Sequence, residues 1–325
     1  MNPLRSYLRL RCRLLVRVLR EIGWLRLMIL GPLLLAAVGR ALVMAGTHPD
    51  GQWAVPVAVV LLLASAHRQR SDLPFLATSA PDFRSWLAVE YLLCALPVAV
   101  LLALFRDWGA ASLTLGPAPL VAALPPVREG YNTRYRARSV FRSEVFEWVS
   151  GMRAGGLWAW PVLLAGTLWQ HASPLGPVLA LGGWLLMLLA CYGTPEPLTM
   201  LVVAARGPGA FLRRRLLLGL GYAAITAVPF LWVLAVGPAG SGGAVAVGLF
   251  WLGLVGMLIL TKYAFYPNEL HIRTTQALVL GVALVGVGNP VLLLVLLLVA
   301  VGGLIWQSQR RLRSILTPVP APQVG

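Results

Sequence analysis

Long apolar stretches, broken by short charged segments, set the pattern of the chain. We read ten of them as spans: residues 24–44, 52–66, 85–105, 112–127, 155–171, 176–192, 216–236, 244–262, 275–288 and 291–306. A helix needs about 20 mostly apolar residues to cross a bilayer, and runs of that kind fill most of the sequence. The fourth is the most interrupted, by Pro117, Pro119, Pro125 and Pro126. Proline is tolerated in a span where neighbouring helices satisfy the freed carbonyls. Asn289-Pro290 alone joins the last two, a turn signal that allows a tight hairpin, a re-entrant pair or one broken span. The pattern predicts an all-α polytopic transmembrane bundle of about ten spans, within a range of eight to ten.

A different period precedes the first span. At 100° per residue, Leu4, Leu8, Cys12, Leu15, Leu19 and Ile22 share one helix face. Arg5, Arg9, Arg13, Arg17 and Arg20 share the opposite face, and only Arg11 departs from the pattern. Such a helix lies flat at the membrane interface, with its arginines among anionic headgroups. It is no signal peptide, because its arginines are spread along it and Arg40 interrupts the apolar run that follows. The organisation expected is an interfacial helix over 1–23, a single transmembrane domain over 24–306, and a cytoplasmic tail over 307–325 with a disordered end.

Charge orients this arrangement. The net charge is +16, and 26 of the 27 basic residues are arginine. With an even number of spans and the N-terminus inside, the inner segments are 1–23, 67–84, 128–154, 193–215, 263–274 and 307–325. These carry 23 arginines, whereas the outer loops carry only Arg106. That asymmetry predicts a multi-pass protein of a cell membrane with both termini on the cytoplasmic side. The outer loops are too short to form a domain. Charged residues make up 12% of the chain and the mean hydropathy is +0.78, against about 25% charged in soluble domains. The basic residues lie between spans and not on one soluble face, which argues against a nucleic-acid partner. Cys12, Cys94 and Cys191 are too far apart in sequence to imply a disulfide or a metal cluster.

The sequence has no phosphate-binding GxxxxGK[ST], no HExxH and no paired Asp-rich motif. No catalytic, cofactor-binding or metal-binding residue is assigned. None of the four histidines has a ligand-like neighbour three or four residues away. Glu90 is the one acidic residue inside a predicted span. An aspartate at a helix centre costs on the order of 2.5–3.5 kcal/mol on the insertion scale, so an intramembrane carboxylate is a functional candidate by default. The structural alternative pairs Glu90 with Arg26 or Lys262. The first inner loop carries Arg68, Arg70 and Asp72 ahead of Phe75 and Leu76. In the second, Arg134, Arg138 and Arg142 recur at helical spacing, Phe141, Val145 and Trp148 lie on another face, and Glu144 and Glu147 add acceptors. The third sets Glu196 between two prolines and Phe211-Leu212 ahead of three arginines. Apolar side chains exposed among such charges point to a protein partner at the cytoplasmic face.

On these features the chain resembles ABC exporter permeases, most closely the Ecs-type permeases and related bacterial membrane proteins. The shared features are the basic N-terminal helix, the tight first hairpin, and an Arg-x-x-Asp-x-x-Phe-Leu pattern. Here that pattern reads Arg68/Arg70, Asp72, Phe75 and Leu76 at slightly altered spacing, followed later by Thr194-Pro195-Glu196 and Phe211-Leu212. The resemblance implies a transport subunit, not an enzyme, whose first loop and N-terminal helix contact a separately encoded ABC ATPase. Membrane lipids, and a second copy in a homodimer, are further partners it allows. About ten spans depart from the common six-span exporter plan. Three alternatives remain: a secondary transporter, a lipid-modifying membrane enzyme that would draw on His67, His271, Glu196 or Glu269, and a non-transporting assembly or scaffold protein.

Overall fold

A computed structural model describes residues 3–47, 51–68, 70, 72–125, 144–197, 207–286 and 290–316. Every regular element among them is helical. They fall into two compact units, Met1–Arg136 and Ala137–Gly325, each considered by itself.

The first unit begins with α1 (Pro3–Ile22) and α2 (Trp24–Thr47). Gly23 separates them with φ +90°, a left-handed conformation that glycine adopts without the steric penalty of a side chain. The break turns α1 113° from the Leu27–Arg40 stretch of α2. Next come α3 (Gly51–Arg68), a short helix α4 (Leu73–Ser79) and α5 (Phe83–Leu104). Leu87, Tyr91, Ala95, Ala99 and Leu102, three or four residues apart, form the buried stripe of α5. The segment 112–127 was expected to be one span. The structure gives instead α6 (Trp108–Leu115), a turn at 116–118 and a 3-10 helix over Pro119–Ala123. Pro117 and Pro119 explain the break, since neither can donate to an α-helical ladder.

The second unit runs α7 (Phe146–Gly151), a π-helical turn (Met152–Gly156), α8 (Leu157–Trp169), α9 (Leu175–Tyr192), α10 (Pro208–Val236), α11 (Gly240–Ala264), α12 (Glu269–Gly286) and α13 (Pro290–Leu316). Its core gathers Trp148, Trp184, Tyr192, Phe230, Tyr263 and Tyr266. The seventh and tenth expected spans are longer than their apolar runs. The first gains residues 208–215 at its start, and the second continues to Leu316, into the segment expected to be tail. On α10, Gly219, Ala223 and Ala227 recur every fourth residue, and both alanines are fully buried. Small residues at that interval let two helices approach closely, which matters where van der Waals packing holds helices together. A Cβ at Gly219 would lie 2.7 Å from Ile259 Cδ1 and 2.9 Å from the Tyr192 hydroxyl.

Four described helices, α5, α9, α10 and α11, are long and apolar enough to cross a membrane; counting the bent α1–α2 pair as one span makes five. Of the other expected spans, the fourth is broken and the fifth is short. At 13 residues, α8 extends only about 20 Å, less than a hydrocarbon core of about 30 Å.

The contact between α7 and α9 offers a packing test. A Cβ on Gly151 would sit 2.0 Å from Cys191 Sγ. Gly151→Ala is expected to destabilise the second unit by about 1–3 kcal/mol, the usual cost of overpacking. Adding Cys191→Ala removes the sulfur and should recover part of the loss. Thermal unfolding of the single and double variants in detergent measures that coupling.

Candidate functional site

In the first unit, charge converges on Glu90. This residue lies in the second turn of α5, and its side chain is largely buried. Oε1 accepts from Arg11 Nε at 2.9 Å and Nη2 at 2.7 Å. Oε2 accepts from Arg70 Nη1 at 3.0 Å and from the Tyr7 hydroxyl. Arg70 spreads across the site, donating to both carboxylate oxygens of Asp72 at 2.9 and 2.8 Å and to the Tyr7 hydroxyl at 2.9 Å. The expected partners of Glu90 are thereby corrected. Arg11 and Arg70 hold it, not Lys262, which pairs elsewhere, while the side chain of Arg26 lies outside the described residues. Arg11 is the arginine that broke the helical pattern of α1. Its position on the inward face brings it to the carboxylate.

Behind this cluster His67 is buried at the end of α3. Its Nε2 donates to the Leu124 carbonyl at 3.0 Å, so Nδ1 accepts from the Tyr91 hydroxyl at 2.7 Å. Both ring nitrogens are thus engaged in holding α3, α5 and the end of the 3-10 segment together.

The predicted docking residues divide sharply. Arg68 is exposed, Arg70 is turned inward, and Asp72 stands at the start of α4 without capping it, its carboxylate taken up by Arg70. The Arg70 guanidinium holds the Asp72 carboxyl below the usual carboxylate range against partial burial. Leu73 is buried and Leu76 packs against the same core, whereas Phe75 is 70% exposed. On this short helix the two leucines are anchors and the phenylalanine faces outward.

A second cluster lies in the second unit, and sequence reasoning missed it. Lys262 Nζ on α11 donates to Glu147 Oε1 at 2.9 Å and to Glu196 Oε1 at 3.3 Å. Arg215 on α10 donates Nη1 to Glu147 Oε2 and Nη2 to Glu196 Oε2, both at 3.2 Å. All four side chains are nearly inaccessible. The Tyr263 hydroxyl adds a bond to Glu147 at 3.2 Å, and Tyr266 donates to the Glu196 carbonyl at 2.5 Å. The quartet ties α7, the 193–197 linker, α10 and α11 together with no net charge when both acids are ionised. Against its own burial, Glu147 is held down to about 2 by Lys262 and Arg215. Glu196 has the longer bonds; burial and the adjacent Glu147 push it up to about 7.

This placement corrects the expectation for Glu147, which was read as part of a contact facing a partner but is turned into the protein. Glu144 stays exposed and pairs with Arg214 at 2.6 Å. Arg138 and Arg142 lie outside the described residues. Among residues considered for enzyme chemistry, Glu196 is locked in the quartet and Glu269 pairs with Arg273 on the surface of α12. Among the described residues no group of three or more His, Cys, Asp or Glu could hold a metal ion. Comparison with family models, curated protein sequences and solved structures gives no match to this chain.

Two predictions follow from these clusters. Glu90→Gln removes the negative charge that pairs with Arg11 and Arg70 and should destabilise the first unit by about 3 kcal/mol, as when one partner of a buried pair is removed. Asp72→Asn, at a more exposed position, should cost less than about 1 kcal/mol. Thermal unfolding in detergent separates them.

The quartet should also give stability two opposite pH limbs. The folded value of Glu147 lies below its ordinary 4.5, so its contribution is present above that pH and lost as pH falls towards about 2. Glu196 lies above 4.5, so stability declines as pH rises from there towards about 7. Glu147→Gln should flatten the acid limb and Glu196→Gln the neutral one. The groups around the pair are Arg215, Lys262, Cys191, Tyr192, Tyr263 and Tyr266, so comparing unfolding across pH in the two variants with the native chain separates the carboxylates from them.

Proposed function

We propose that the chain is the membrane-spanning permease subunit of an ABC-type transporter, an exporter, driven by a separately encoded ATPase that docks on α4. In this reading it makes about ten passes through a cell membrane, with both termini cytoplasmic and α1 lying along the inner interface. The 23-to-1 division of arginines between inner and outer loops supports the orientation.

The observation that carries the reading is the construction of α4. It is a seven-residue helix between two longer ones, pinned from beneath by Leu73 and Leu76 and from one end by the Arg70–Asp72 chelate. It presents Phe75 to the outside. A large apolar side chain on a short, rigidly held helix beside charged residues suits insertion into a pocket of a soluble partner. The chain has no nucleotide-binding loop of its own, so energy has to come from that partner.

A secondary transporter is the second reading, and the buried Glu147–Glu196–Arg215–Lys262 quartet is what favours it. Ion-coupled transport needs ionisable groups held away from water. The lipid-modifying alternative gains less support, because Glu196 and Glu269 already serve ion pairs and His67 uses both ring nitrogens within its own unit.

Phe75→Glu tests the docking role. The side chain is exposed, so unfolding of the purified subunit should be unchanged within about 0.5 kcal/mol. Co-purification with the cognate ATPase, and transport in reconstituted vesicles, should be lost. Retention of both would remove α4 as the coupling element. If no ATPase co-purifies with the native chain either, the secondary-transporter reading moves ahead and Glu196→Gln becomes the informative variant.

A further inference from the structure

The two halves of α1 have different neighbours. In the first half, Tyr7 is buried, Leu4 and Leu8 are partly covered, and Arg11 reaches inward to Glu90. The same face continues through Leu14, Leu15, Val18 and Leu19, yet there all four side chains are exposed. The apolar band does not end with the helix. It passes the Gly23 turn onto Trp24, Met28 and Ile29 of α2, which are exposed as well. Opposite this band stand Arg5, Arg9, Arg13 and Arg20, all exposed, with Arg17 bonded to Glu21 at 3.2 Å. Residues 1–23 contain six arginines and one acidic residue, so little within the segment balances that charge.

We infer that the second half of α1 is a binding surface for anionic phospholipid, with its leucines in the acyl boundary and its arginines on headgroup phosphates. The inference rests on the interfacial placement proposed for α1 and confines the headgroup contact expected from its sequence to the second half of the helix, where the apolar face is uncovered. The 113° turn supports the geometry, because a helix so steeply bent from a spanning α2 runs close to the membrane plane. The chemistry is complementary. Arginine stems can lie along the apolar boundary while their guanidinium groups reach phosphate oxygens, for which their fork of donors is suited. Basic residues held near an anionic surface are attracted to it, and the attraction falls off within a Debye length. Arg11 is not part of this surface, since it is already committed to Glu90; it fixes the inner end of the helix while the outer end meets lipid.

The experiment uses the full chain, with Cys12, Cys94 and Cys191 replaced by alanine, in nanodiscs of phosphatidylcholine alone or of phosphatidylcholine mixed with phosphatidylglycerol. A spin label at Leu15→Cys reports depth through its accessibility to oxygen and to a water-soluble relaxant, and one at Arg13→Cys reports the opposite face. The expected result is a label at 15 that moves deeper when phosphatidylglycerol is present, and a label at 13 that stays at the aqueous side. With the label at 15, Arg13→Gln, Arg17→Gln and Arg20→Gln together should abolish the difference between the two lipids while leaving the depth in phosphatidylcholine unchanged. Equal insertion in both lipids, with all arginines present, would overturn the anionic-lipid inference and leave the interfacial placement standing. A label at 15 exposed to water in both lipids would overturn the placement itself. Strong spin coupling between labels at 15 on different protomers would show that a second copy covers this face, and would also overturn the inference.

Discussion

A carboxylate carried out of water must find positive charge within hydrogen-bond reach, and in this chain that requirement decides which helix ends meet. Glu90 lies two turns into α5, with its side chain largely out of water. It therefore draws Tyr7 and Arg11 from α1 and Arg70 from the segment before α4. Glu147 and Glu196 are nearly inaccessible, and each takes one bond from Arg215 and one from Lys262. An isolated buried charge would cost several kcal/mol. Assembled into neutral groups, the same residues give each unit a defined junction where its helices would otherwise have only interchangeable apolar surfaces to match.

The helices were legible in the sequence because their signal is spread over many residues. Apolar runs located α2, α3, α5, α8, α9 and α11 closely. The ends were less legible. Arg213 to Arg215 read as a charged rim before a span, yet α10 begins at Pro208 and folds Arg215 inward. Charge type sets the average position of a loop, whereas an individual arginine goes where a partner carboxylate is. Nothing local distinguishes Arg214, exposed and paired with Glu144, from Arg215, buried with Glu147. The Glu90 site left more trace. Arg11 was the single residue out of register on α1, and Glu90 the single acid within a predicted span. Pairing them needed only the contact between α1 and α5, which a one-dimensional pattern does not contain.

The two units solve the charge problem in a similar order along the chain. In each, a hairpin of helices, α2–α3 or α8–α9, leads into a linker bearing an acid, Asp72 or Glu196. A long helix follows, and its eighth residue joins the cluster: Glu90 on α5 and Arg215 on α10. The signs differ at this last position, so a match of residue types would not reveal the correspondence. Seven residues along a helix is about 10 Å of rise. That is deep enough to remove the group from bulk water and shallow enough for long side chains from a linker to reach it.

This depth has a mechanical consequence in the first unit. Leu73 and Leu76 seat α4 on the core that also holds Tyr7, Leu87 and Tyr91, and Arg70 bonds at once to Asp72, Tyr7 and Glu90. A displacement of α4 therefore acts directly on these side chains. It passes through the α4 backbone to the Arg70 guanidinium, whose planar fork resists reorientation better than a single ammonium contact would. From there it reaches α5 through Glu90 and α1 through Tyr7. Because Arg11 binds the same carboxylate from the α1 side, displacing α4 relative to α5 must either break charged hydrogen bonds or carry α1 along. Carrying α1 along preserves the bonds, so α1, α4 and the start of α5 are expected to shift as one body.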